Sequence, residues 1–119
     1  MTTINILENV VHGVPSGTYD GSSLDFSSLP VEAADYYQGN GSIQTITLRV
    51  TGFQGIIRLV ATLGDDPQQA AWFDLGEFDY SSAATTTTIA PSYTGNFVWV
   101  RADIVDFTAG TINFVTITY

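Results

Sequence analysis

Apolar and polar positions alternate with a period of two along most of this chain. In "ITLRV", residues 46–50, Ile46, Leu48 and Val50 fall on one side; in "VWVRADI", residues 98–104, Val98, Val100, Ala102 and Ile104 do the same. Successive side chains of an extended strand point to opposite faces, so this spacing predicts half-buried strands. Abundant Val, Ile, Thr, Tyr and Phe agree with that reading. The clearest segments are 3–11, 42–50, 56–63, 70–75, 85–89, 96–105 and 110–119, with shorter extended pieces at 24–26 and 34–38. Between them lie "HGVPSGTYDGSS", "QGNGS", "TGFQG", "GDDP" and "FTAG", whose Gly and Pro residues favour turns. No segment carries a 3.6-residue apolar stripe, and "DDPQQAAWF" has room for one helical turn at Pro67. The pattern therefore predicts an all-β protein, an antiparallel β-sandwich of jelly-roll or immunoglobulin-like type with about eight strands, as a single domain over residues 1–119.

Two segments share a defect in this alternation. "GSIQTITLRV" (41–50) and "GTINFVTITY" (110–119) run in the same order of residue types. In each, one early apolar residue is out of step: Ile43 against Ile46, Leu48 and Val50, and Ile112 against Val115, Ile117 and Tyr119. A bulge in each strand, or burial of both faces near the strand start, accounts for the slip. Each segment is also expected to belong to a hairpin, one turning at "TGFQG" and the other at "DFTAG", since roughly three to five residues with a glycine suffice for such a turn. In the second hairpin Phe97, Trp99, Arg101 and Asp103 share the face opposite Val98 to Ile104.

Composition narrows function mainly by exclusion. With 119 residues the chain is long enough to bury roughly two-thirds of its unfolded surface, and 45% apolar against 13% charged residues is a folding composition. Twelve acids against three arginines give a formal charge of −9, which repels phosphate backbones, so nucleic acid is not an expected partner. Cysteine is absent, removing disulfide and thiolate chemistry. The N-terminal "MTTINILENVV" has neither the cationic region nor the apolar run of a signal peptide, and no stretch of about 20 apolar residues predicts a membrane span.

The chemistry-bearing residues are few. His12, the only histidine, reads as a loop residue. Asp20 and Asp25 in "DGSSLD", and Asp65 with Asp66, have oxygen ligands for calcium but not the EF-hand spacing, and read as acidic turns. Asp74, Glu77 and Asp79 contain the carboxylates a glycosidase would need, yet sequence proximity sets no separation, and solvated strand ends are the expectation. No glycine loop precedes a helix with a lysine, so neither catalytic residues nor a cofactor or metal is assigned. Aromatics are more suggestive. Tyr36, Tyr37, Trp72, Phe73, Tyr93 and Trp99 suit a core, a sugar or a protein interface, with Phe73 expected inside. Adjacent strand residues face opposite ways, so one of Tyr36 and Tyr37 becomes a contact candidate. Arg101 must reach water or an acid. Asp103 lies on its face, Trp99 is available for stacking, and a structural role at a strand edge or subunit contact is expected. The apolar "FVTITY" ending at Tyr119, and the threonines at 85–88, suggest β-edges that copies of the chain or a larger protein cover.

"DDPQQAAWFDL" and above all "YTGNFVWVRADIVDFTAGTINFVTITY" resemble small β-sandwich virion proteins and appended modules of tailed bacteriophages, including cyanobacterial phages. In these a Trp-Phe or Trp-Val strand precedes a "TGNFxWVRA" strand and a Gly-Thr-Ile hairpin. The likeness spans roughly residues 41–119. It implies a non-enzymatic structural component of the virion: an exterior capsid decoration, or a neck, tail or fibre accessory, binding copies of itself and other virion proteins. An exterior place suits the acidic charge, because an inner capsid surface faces DNA. A carbohydrate-binding module, with a glycan as partner, is the alternative, and a small hydrolase built on the acids a weaker third.

Overall fold

In the computed structural model, which describes residues 3–34, 43–64, 66–68, 71–80 and 86–119, all regular structure is β. Eight strands follow in chain order: β1 (Thr3–Val11), β2 (Phe26–Ser27), β3 (Val31–Glu32), β4 (Ile43–Thr62), β5 (Phe73–Tyr80), β6 (Thr87–Ile89), β7 (Ser92–Thr94) and β8 (Trp99–Thr118). All pairings are antiparallel, around a spine ordered β1-β8-β4-β5.

The two 20-residue strands, β4 and β8, organise everything else. Ile46 pairs with Ile117 and Val50 with Ile112, whereas Ile57 pairs with Ile104 and Ala61 with Val100, so both strands run through two layers. Layer A consists of β1, the C-terminal half of β8, the N-terminal half of β4, and β6 with β7 on the far edge. Layer B consists of β2 with β3, the N-terminal half of β8, the C-terminal half of β4, and β5. The expected hairpins are thus corrected: "TGFQG" and "DFTAG" bend the long strands instead of reversing them. Positive φ at Gly52 (61°) and Gly110 (89°) makes the bends, and the ladder register shifts between Thr51, Gln54 and Ile56. At Gly110 the backbone of Gly52 lies so close that a methyl group would collide with it.

Inward residues of both layers make one apolar cluster. Ile46, Leu48, Val50, Ile57, Leu59, Val100, Ala102, Ile112, Val115 and Ile117 are all fully buried. Burying a Leu, Ile or Val side chain contributes about 1.5–3 kcal/mol, so these alternating positions dominate stability. Phe53 and Phe107 lie within the two bends, 5.5 Å apart, and Tyr19 (5.2 Å from Phe107) with Phe26 (4.9 Å from Tyr19) fills the end of the sandwich there. The seams are closed by polar groups. The Tyr119 hydroxyl, in layer A, donates to the Glu32 carbonyl of layer B at 3.1 Å. Gln44, wholly buried, accepts from the Ala34 amide (3.1 Å) and donates to the Gly95 carbonyl (3.3 Å).

The two phase breaks have different causes. In β8 the pairing steps from Phe114 opposite Arg49 to Ile112 opposite Val50, so Asn113 is the extra residue of a bulge and Ile112 and Val115 both turn inward. At Ile43 there is neither a bulge nor two-faced burial: alternation is regular, Gln44 takes the inward place and Ile43 is 64% exposed. Phe73 also departs from its expected core position, being exposed at the start of β5 with its ring 5.9 Å from Phe97. Phe97, assigned to the outer face, is buried just before β8 begins.

Candidate functional site

The outer face of layer B carries Arg101 and its neighbours. Asp103, two residues on, faces the same way, and its Oδ1 accepts from Arg101 Nε at 3.0 Å. Only 28% of the arginine side chain and 20% of the aspartate's is exposed, so this pair is shielded more than an ordinary surface ion pair. The guanidinium lies over Trp72, its central carbon 4.5 Å from the ring centroid. Sequence alternation pointed to Trp99 as the stacking ring; Trp72 comes instead from the segment before β5, where its indole N–H donates to the Pro67 carbonyl (3.3 Å) and Gln68 N–H donates to Asp66 (2.9 Å). Val60, the sheet neighbour of Arg101 and Asp74, is buried although alternation turns it outward. Arg58 stands across the sheet from both Asp103 and Glu77, within 3.9 Å of the Asp74 and Glu77 carboxylates. Among the described residues its buried Nε has no hydrogen-bond partner, and attraction to the carboxylates at that range is what balances it.

These contacts make the charges of layer B part of the scaffold. Of Asp74, Glu77 and Asp79, weighed from sequence as hydrolytic carboxylates, the first two bracket Arg58 from β5, while Asp79 stands further along β5 opposite Ile56. Tyr119 sits at a seam, where burial first and the Glu32 carboxylate second push its phenol above its ordinary value. Tyr36 and Tyr37 lie outside the described residues, as does Asp65. His12 is exposed, edge-on to Phe107 at 5.2 Å. Asp20 closes a local turn: Oδ1 accepts from the amides of Ser22 (2.9 Å) and Ser23 (2.7 Å), and Oδ2 from the Ser23 hydroxyl (2.7 Å). Those bonds, that of the Ser23 hydroxyl foremost, lower its carboxyl to about 2. Asp25 accepts from the Asp106 amide at 3.0 Å. Among the described residues no three His, Asp or Glu side chains are grouped to hold a metal ion, and no helix is long and apolar enough to cross a membrane.

The outer face of layer A is a different surface. Short polar side chains bridge its strands: Thr3 to Thr118 (3.0 Å), Thr45 to Ser92 (2.8 Å) and Thr51 to Asn113 (2.9 Å). Its regularity breaks at one level. In β1 the register slips between Asn5 and Leu7, and Asn9 adopts φ 49°, leaving both Glu8 and Asn9 exposed. In β8 the bulge at Asn113 falls beside Phe114, which pairs with Glu8 on one side and Arg49 on the other. The result is a groove of about 530 Å³ lined by Asn5, Glu8, Asn9, Arg49, Asn113, Phe114 and Thr116, in which the Asn5 side-chain amide donates to Glu8 Oε2 at 3.3 Å. Arg49 bonds the Thr88 hydroxyl (3.3 Å) and, among the described residues, is the one arginine without a carboxylate within ion-pair distance. From sequence, Phe114 and Thr116 were read only as part of a β-edge at "FVTITY", and that reading is corrected: this half of β8 is paired on both sides, by β1 and by β4. The other lining residues were not singled out. The signal was the phase break between Ile112 and Val115, which marks the bulge without naming what it aims outward.

Neither protein-family models nor curated proteins give a match to this chain.

Proposed function

We propose that this protein is a non-enzymatic structural component of a phage virion, an exterior capsid decoration or a neck or tail accessory, that works through protein–protein contacts. The likeness of residues 41–119 to phage β-sandwich modules supports the virion reading. The observation that carries the mode of action is the open flank of layer A. Among the described residues β1 pairs on one side only, with β8. Alongside it runs a cleft of about 340 Å³ lined by Ile6, Leu7, Leu29 and Val31 among others, with Leu29 70% exposed. A strand edge beside an exposed leucine is suited to being covered by another chain, a second copy or a larger virion protein. The acidic surface favours the particle exterior, away from packaged DNA.

Co-sedimentation with purified capsids and tails of cyanobacterial tailed phages, together with light scattering of the isolated chain, tests this reading. Saturable association with one of these particles, weakened by Leu29→Asp, is the expected result. A chain that stays monomeric and binds no phage component overturns it.

A further inference from the structure

We propose that the groove on the outer face of layer A is a binding site for a neutral glycan, which it holds by one or two pyranose rings. This goes beyond the structural role and does not depend on where in a particle the chain sits. Two distortions on facing strands meet there: Asn9 of β1 at φ 49°, and opposite it the bulge of β8 at Asn113. A regular pair of strands would turn Asn9 and Asn113 away from the face shown by Glu8 and Phe114. The distortions bring all four to one groove, and bulges of this kind are frequent where a protein re-aims side chains at a ligand.

The chemistry of the lining selects the ligand. Phe114, half-buried in the middle, offers an aromatic face on which the C–H side of a sugar ring can stack. Glu8, its neighbour on β1, has one oxygen bonded by Asn5 and accepts sugar hydroxyls at the other, while Arg49, its neighbour on β4, donates and has no carboxylate within ion-pair distance among the described residues. Asn9 supplies a donor and an acceptor to hydroxyl groups, and Asn113, whose Oδ1 accepts from Thr51, supplies its side-chain N–H donors. Carboxylate and guanidinium cancel across the ring, so the lining is nearly neutral within a chain of charge −9, which disfavours sulfated, phosphorylated or sialylated ligands. The groove volume lies within the roughly 300–1,000 Å³ of small-molecule sites, and an open trough suits a chain of sugars.

The test is an amide-shift titration of the full 119-residue chain by NMR with maltotriose, cellotriose, mannotriose and N-acetylchitotriose, with sialyllactose as the acidic probe. Saturable shifts at Asn9, Asn113 and Phe114 with at least one neutral trisaccharide, and weaker ones with sialyllactose, are expected. Arg49→Ala and Phe114→Ala should each weaken that binding about tenfold or more. Glu8→Gln, which keeps the size of the side chain, should weaken it as well, and Glu77→Gln on the opposite layer should leave it unchanged. The proposal fails if no neutral trisaccharide moves these amides at millimolar concentration, if folded Arg49→Ala and Glu8→Gln bind like the parent, or if sialyllactose binds more tightly. Particle association is measured separately, so either result can stand without the other.

Discussion

The outer faces of the two layers use the same residue types to opposite ends. On layer B each arginine has carboxylates in reach, Arg101 with Asp103 and Arg58 with Asp74 and Glu77, and Trp72 lies against Arg101. On layer A the remaining arginine faces a groove where neighbouring strands are irregular. The difference teaches that a charge on a strand says little by itself. Arg101, conspicuous in its apolar segment, holds the scaffold, while Arg49, inconspicuous among threonines, stands where a ligand can reach it.

The contrast depends on the bends that divide the long strands into layers, so the severest way to break it is at Gly110. Gly110→Ala combines an unfavourable positive φ with a collision against the Gly52 backbone, and should destabilise the protein by about 3–5 kcal/mol, seen as a large fall in the denaturation midpoint. Next comes the seam at Gln44. Gln44→Ala strips the Ala34 amide and the Gly95 carbonyl of their partner and should cost about 1–3 kcal/mol, whereas exposed Ile43→Thr next to it should change the melting temperature hardly at all.

The same substitution on the two faces sharpens the comparison. Arg101→Ala should cost about 1–2 kcal/mol, from a shielded ion pair and a cation–π contact that act together. Arg49→Ala should stay within about 0.5 kcal/mol of the parent. Equal losses in urea melts would erase the distinction between a scaffold arginine and a site arginine.

The effect at the other seam is modest and depends on pH. Burial raises the Tyr119 phenol above its ordinary value of 10.0, and Tyr80 and Tyr93 shift the same way for the same reason. A raised value in the folded state means that the unfolded chain ionises first. The stabilising contribution is therefore complete below pH 10.0 and is lost as pH rises through the folded values. Tyr119→Phe removes the bond to the Glu32 carbonyl, about 0.5–1.5 kcal/mol, and should make the alkaline fall in melting temperature shallower than the parent's.

Strand content was legible in the sequence because alternation reports directly on which side of a strand is wet. Val100, Ala102 and Ile104 are buried and Trp99, Arg101 and Asp103 face outward as the period required. The pairing of strands was not legible. A short stretch containing positive-φ glycines reads alike whether the chain reverses or merely bends, and only long-range packing decides between them. Gln44 was missed because its inward position looks polar in sequence, and its two partners are distant in the chain. Trp72 was missed as the stacking ring for a similar reason: 29 positions separate it from Arg101, and no periodicity relates a loop to a strand. The groove required knowing that two irregularities on different strands fall at one level.

The two long strands also govern how this fold can be made. Thr45 pairs with Thr118 and Thr62 with Trp99, so residues 99–118 form the central rung of both layers. On a ribosome, where about 5–20 residues appear each second, β1, β2, β3 and β4 are all synthesised before the strand they share as a partner, β8, exists. Until then β4 can pair only with β5, β6 and β7 along its other side, and the two layers are joined late, in one non-local step. The high negative charge of the chain then acquires a role in time as well as in space, keeping nascent copies apart while their strand edges wait for β8.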